Sequence, residues 1–226
     1  MSLILNIDTA SENAHISLAE DGKILHTLGN NSQKDHASFL QAGIQQLMIP
    51  ANTDLKDIDA VAVTAGPGSY TGLRVGMASV KGLCYALKKP LITIGTLEVL
   101  AASALQLFLT DSENFFYCPM MDARRMEVFT AIYANDLTIQ LQPCAMILDE
   151  LSFEKELLDN KIIFFGSGSA KWENICKHPN AVFKTVSILP ESMSNLSNSL
   201  FLEKKFTDLA YSEPLYLKEF QTVTKN

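Results

Sequence analysis

The sequence predicts an α/β protein of two lobes, and three observations predict it. Apolar runs of strand length, such as residues 3–7 and 58–65, alternate with stretches whose apolar residues recur at helical spacing. A hairpin signal comes first and helix-separated strands follow. At 226 residues the chain can hold two cores of ordinary domain size, and a polar break at 110–114 divides it into 1–109 and 110–226.

Taken in order, residues 3–7 form a buried strand that opens into the polar turn Asp8-Thr9-Ala10. Ala14, Ile16 and Leu18 alternate with His15 and Ser17, and Asp21-Gly22 supplies the two-residue turn that matches strand twist, so 14–20 and 23–28 form a hairpin. From Asp35, a cap, the period lengthens: Phe39, Leu40, Gly43, Ile44, Leu47 and Met48 share one helical face, and Pro50 stops the helix. Residues 58–65 are apolar throughout, as in a strand covered on both faces. After the glycine-rich AGPGSYTGLRVG comes a second helix over 71–88, with Leu73, Met77, Val80, Cys84 and Leu87 in one stripe and Pro90 beyond its end. A strand at 91–94 leads to Thr96, the cap of a helix over 97–107. In the second lobe, strands at 115–121 and 126–133, a helix over 147–158, a strand at 161–165 and a polar helix near 191–206 follow. No internal repeat is visible.

Composition excludes several classes. Hydrophobic content of 47% with 19% charged residues is that of a folded globular chain. The N-terminus lacks a basic n-region, and no apolar run approaches the roughly 18 residues a membrane span needs. A cytoplasmic protein with no membrane contact is expected. The four cysteines are scattered without a C-x-x-C pair, and no two histidines lie three to five residues apart, so neither a disulfide framework nor a metal site is predicted. A net charge of −7 disfavours unaided binding to a phosphate backbone.

Two places could carry function. The turns at Asp8, Thr9 and Ser11 and at Gly166 and Gly168 could cradle a nucleotide, because glycines let backbone N–H groups approach phosphate. Gly66-Pro-Gly68 lacks the Lys-Ser/Thr ending of a phosphate-binding P-loop, and structural glycine is the competing reading. The other place is a helix face. Gly72, Gly76 and Ser79 expose backbone along one stripe beside Leu73, Met77 and Val80, so something packs there closely, either a partner's helix or the lobe's own sheet.

With these residues assembled, the chain resembles the bacterial TsaB (YeaZ) family. The likeness rests on LILNIDTA, DAVAVTAGPGSYTGLRVG, PMMDARRMEVFTAIY and PLYLK, which together span nearly the whole chain. The resemblance implies two RNase H-like lobes of the actin, Hsp70 and sugar-kinase superfamily. It implies an accessory, non-catalytic subunit that pairs with the paralogue TsaD, and with the ATPase TsaE, in threonylcarbamoylation of the tRNA adenosine beside the anticodon. The catalytic paralogue's H-x-x-x-H metal pair would fall at Thr96 and Leu100, so this chain needs no cofactor, ATP and metal belong to the partner subunits, and tRNA is met only through the complex. The pairing surface lies on the first two helices, here Phe39, Leu40, Gly43, Leu47, Gly72, Leu73, Gly76, Met77 and Val80, and the same face would make a homodimer of the isolated chain. The alternative is an independent ATP-dependent enzyme of the sugar-kinase type, built on the Asp8 and Gly166 turns.

Overall fold

Two five-stranded sheets repeat one topology in the computed structural model, which describes residues 1–11, 13–30, 36–108 and 115–218. The Asp35 cap and the polar break at 110–114 lie outside the described residues. The first sheet is built from β1 (Leu3–Asp8), β2 (Ala14–Glu20), β3 (Lys23–Asn30), β4 (Ala60–Gly66) and β5 (Leu91–Gly95), in the order β3-β2-β1-β4-β5. β1, β2 and β3 are antiparallel neighbours, while β4 and β5 run parallel to β1. The second sheet takes β6 (Phe115–Asp122), β7 (Glu127–Tyr133), β8 (Ile139–Ile147), β9 (Lys161–Phe165) and β10 (Ala181–Phe183) in the order β10-β9-β6-β7-β8. Again an antiparallel meander is extended by two strands parallel to its first. The duplication has no counterpart in a sequence repeat, because topology asks only for apolar runs in a given order.

Period-two alternation splits the first sheet between two cores. Leu5, Ile7, Val61 and Val63 face α1 (His36–Ala51) and α2 (Tyr70–Leu87), where Leu40, Leu47, Met77 and Val80 meet them. Ile4, Ala60, Ala62, Ile92 and Ile94 face the other way, against Val99 of α3 (Thr96–Phe108) and Met193 of α6 (Pro190–Leu202). The opposite side of α3 buries Leu97, Leu100 and Ala104 with Tyr117, Ala131 and Phe165 of the second sheet. That sheet's far face is closed by Phe153, by Leu157 of α4 (Glu154–Asp159) and by Trp172 of α5 (Ser169–Glu173). Segment order and lobe therefore part company near the C-terminus: α6 and the tail return to the first sheet, and Thr207 bridges to Leu91 at its edge.

Local chemistry explains where expectation and structure meet and where they separate. Asp21 and Gly22 both take positive φ (48° and 79°), as the two-residue hairpin turn requires. α2 starts at Tyr70, with the Ser69 hydroxyl accepting from the Gly72 N–H, and closes on Lys88 in the left-handed region. Three expectations need correction. α1 runs through Pro50 to Ala51 and is ended by left-handed Asn52; a proline in the last turn forfeits one hydrogen bond without breaking the turns before it. Thr96 is the first residue of α3 and not its cap, and its buried hydroxyl makes no hydrogen bond among the described residues. The helix expected over 147–158 is instead the end of β8, a turn and the short α4. Asp149 holds that turn, accepting from the Leu151 N–H (3.0 Å) and the Ser152 hydroxyl (2.9 Å), which supplies hydrogen bonds a helix would otherwise make. β8 itself escaped the periodicity.

Candidate functional site

The two glycine stretches and the start of α2 border one cleft between the sheets, with a volume of about 1350 Å³. Its floor is the junction of β1 with α2. Asp8, at the end of β1, accepts from the Thr64 hydroxyl (2.7 Å) and from the Ala10 N–H (3.0 Å), tying β1 to β4 and shaping the turn above. Thr9 donates its hydroxyl to the Gly72 carbonyl at 2.8 Å. Both side chains are buried, so they brace the floor and do not line it. Ser11 does line the cleft, as do Pro67, Gly68, Ser69 and Tyr70 at the start of α2. Across from them stand Gly166 and Ser167 after β9, and Asp122, Arg124 and Glu127 at the β6–β7 turn. The structure thus brings Ser11 and Gly166 to facing walls, while Gly168 packs underneath, where a Cβ would lie 2.7 Å from Val128.

Two carboxylates of the far wall are matched by lysines. Lys171 donates to Asp122 (2.9 Å) and Lys218 to Glu127 (2.7 Å). Partial burial works to raise the pKa of Asp122, but the Lys171 ammonium and the Arg124 N–H outweigh it and hold the carboxyl below its usual range. On the near wall the Arg74 guanidinium lies 3.9 Å from the centre of the Tyr70 ring and donates from Nε to the Tyr216 hydroxyl (3.1 Å).

The helix face predicted for a partner turns inward. Leu40, Leu47, Leu73, Met77 and Val80 are all core residues, Gly43, Gly72 and Gly76 are buried with them, and Phe39 is half-buried against the same core. Gly72 and Gly76 serve the close approach of α2 to β1: a Cβ on Gly72 would stand 2.1 Å from the Thr9 carbonyl oxygen, and one on Gly76 would stand 2.3 Å from the Thr9 hydroxyl. Those nine positions are therefore corrected from surface to packing. The sheet won the competition with a partner for this stripe because Thr9, far off in sequence, supplies both the contact and the hydrogen bond.

What the two helices present to solvent is a second stripe on the opposite side. Ala78, Gly82, Tyr85 and Ala86 of α2 are exposed, and so are Ala42, Gln45, Gln46 and Ile49 of α1. Tyr85 is 80% and Ile49 76% exposed, and a Cβ built on Gly82 meets nothing within 4 Å. The signal was readable, since Ala78, Gly82 and Ala86 recur every four residues, yet the stripe of Gly72 and Gly76 carried the more conspicuous glycines. Among the described residues no helix is long and apolar enough to cross a membrane, and no three His, Cys, Asp or Glu side chains gather as a metal site.

Residues 28–212 match the family model described as TsaD, tRNA N6-adenosine threonylcarbamoyltransferase. The TsaB protein of Escherichia coli K12, named a tRNA threonylcarbamoyladenosine biosynthesis protein, is 28% identical over 95% of this chain and 94% of its own. YeaZ from Pseudomonas aeruginosa superposes with a TM-score of 0.78 at 24% identity, covering 96% of this chain and all of that one. A polyphosphate/ATP-glucomannokinase from Arthrobacter shares the fold at a TM-score of 0.52 and 11% identity, over 89% of this chain and all of its own. Two RNase H-like lobes of the actin and sugar-kinase type are the architecture common to these.

Proposed function

The chain belongs to the TsaD family and within it to the TsaB (YeaZ) proteins of tRNA threonylcarbamoyladenosine biosynthesis, and from that premise we propose that it is the pathway's non-catalytic scaffold. It docks on a TsaD-family transferase through the outer face of α1 and α2. The observation that carries this reading is that face itself. Small side chains at Ala42, Ala78, Gly82 and Ala86 let a second helix pair come close, and Tyr85 and Ile49 offer large apolar surface at its edges. Such a face left in water would be an exposed apolar patch on a lone subunit. Two copies of the chain use the same face when the transferase is absent.

Catalysis is assigned to the partner on the identity of two residues. Thr96 and Leu100, at the positions of the paralogue's metal-binding histidines, are buried in α3, and Leu100 has no donor atom to offer a metal. Metal, ATP and the TsaE-type ATPase belong to the partner side of the complex, and tRNA is met there.

Gly82→Arg and Ala78→Glu test the docking face, because neither position touches the core. Both variants are expected to melt like the parent and to lose capture of the co-expressed TsaD-family protein by 100-fold or more; full capture by folded variants would overturn the face. The scaffold role is tested by reconstituting tRNA modification with the transferase, the ATPase and this chain. Modification should require all three, and threonylcarbamoyl transfer by this chain alone would overturn the non-catalytic reading.

A further inference from the structure

The end of the chain does not leave the molecule from α6. After Leu202 it runs along the edge of the first sheet, where the Thr207 N–H donates to the Leu91 carbonyl (2.8 Å). It then crosses α2, whose Lys81 ammonium donates to the carbonyls of Ala210 (3.1 Å) and Ser212 (2.9 Å). From there it turns into the mouth of the cleft. The Leu215 N–H donates to the Ala65 carbonyl at the end of β4 (2.7 Å), and the Leu215 carbonyl lies so near Gly66 that a Cβ there would stand 2.6 Å away. Only glycine, here at φ 118°, gives the crossing chain that seat. Tyr216 follows, its hydroxyl accepting from Arg74 and its ring 5.6 Å from that of Tyr70.

Every one of these contacts is with the first lobe. Lys218 makes the next contact with the second, donating to both carboxylate oxygens of Glu127 at 2.7 and 3.0 Å. Glu127 begins β7, and its own carbonyl accepts from Lys171, so the residue that Lys218 grips is fixed to its sheet. The four residues 215–218 therefore span the cleft from wall to wall and contribute to its lining.

We propose that residues 215–218 are a strap that closes the interlobe cleft from within the chain, with the Lys218–Glu127 pair as its latch. While the latch holds, the lobes are tied together across the cleft, and anything entering between Ser11 and Gly166 must first displace the strap. With that partly exposed ion pair broken, the strap is held by its first-lobe contacts alone, which then open more often and re-form in register. A pair of this kind shifts an equilibrium by about two- to fivefold, enough to gate and weak enough to release.

The test uses the full chain in three forms, Lys218→Glu, Glu127→Lys and the two combined. Hydrogen exchange at the Leu215 amide should be about two- to fivefold faster in each single variant, and small-angle scattering should show a larger radius of gyration. The combined variant restores the pair with its charges exchanged and should return both readouts to those of the parent. Exchange at Val61 and Val63 in β4 checks that the core is intact. An unchanged Leu215 amide in Lys218→Glu would overturn the latch. Faster exchange with unchanged scattering would overturn closure, leaving a tail anchored to one lobe only, and failure of the combined variant to recover would overturn the pairing.

Discussion

Placing one methyl group on α2 should have opposite effects at two positions ten residues apart. At Gly72 the new Cβ would lie 2.1 Å from the Thr9 carbonyl oxygen, where ordinary contact begins near 3.4 Å, so α2 and β1 must part by the difference, about 1.3 Å. Overpacking of this kind costs about 1 to 3 kcal/mol. The Thr9 hydroxyl bond to the Gly72 carbonyl is lost with it, about 1 kcal/mol more. Against these stands the gain of about 1 kcal/mol when alanine replaces glycine inside a helix. The balance is a loss of about 2 kcal/mol, which for a chain of this size lowers Tm by about 4 to 8 °C. At Gly82 nothing lies within 4 Å of the added Cβ, so only the helix term remains, and Tm should rise by about 2 to 4 °C. Thermal melts of Gly72→Ala and Gly82→Ala followed by circular dichroism check both. Equal stability of Gly72→Ala and the parent, or a fall in Gly82→Ala as large as that in Gly72→Ala, would show that the two stripes are not the inner and outer faces described.

Two further outcomes follow from buried ionisable groups. Burial raises the pKa of Glu98, which the Gly95 N–H and the Lys205 ammonium only partly offset, so ionising it opposes folding. Stability is therefore lost as pH rises from the ordinary carboxyl range through the raised value and stays lost above it. Glu98→Gln should raise Tm at pH 7 and leave it nearly unchanged at pH 4, and an equal shift at both would refute the assignment. Among the thiols, burial pushes Cys84 up to about 11 and Cys118 higher still, while Cys144 and Cys176 are half-buried. Iodoacetamide at pH 8 should label Cys84 and Cys118 only in denaturant; mass spectrometry of native samples labelled at Cys118 would contradict its burial.

Much of the first lobe was legible because its signals are local. An Asp-Gly pair between alternating segments needs only its own four residues to form a turn, and α2 carries its apolar stripe and the proline beyond its end within one stretch. What was not legible depended on distant partners. α6 reads as polar, yet Ser192, Ser194 and Ser197 are buried, with Ser194 meeting the Asn6 amide (3.3 Å) and the Ser17 hydroxyl (3.4 Å) of the sheet beneath. Small hydroxyls let the helix sit close while their hydrogen bonds are met, and nothing in α6 alone shows that Asn6 awaits it. β8 was hidden for a related reason. It is an edge strand with no fully buried side chain, and its alternation runs only over Ile139-Gln140-Leu141-Gln142 before Pro143 and the apolar 144–147 break the period.

The same limit explains the two faces of α2. A stripe of small residues states that another backbone comes near; it does not state whose. Gly72 and Gly76 answer to Thr9 on β1, and that contact fixes the height of the helix above its sheet. Ala78, Gly82 and Ala86 face solvent on the other side, and a Cβ added to Gly82 meets nothing within 4 Å. Substitutions on the inner stripe should then change partner capture only as far as they change the fold, whereas those on the outer stripe should change capture at constant stability. If the helix divides its work in this way, a double variant such as Gly72→Ala with Gly82→Arg should show the stability of the first and the capture of the second, because two faces of one helix that share no contact have no route by which to couple.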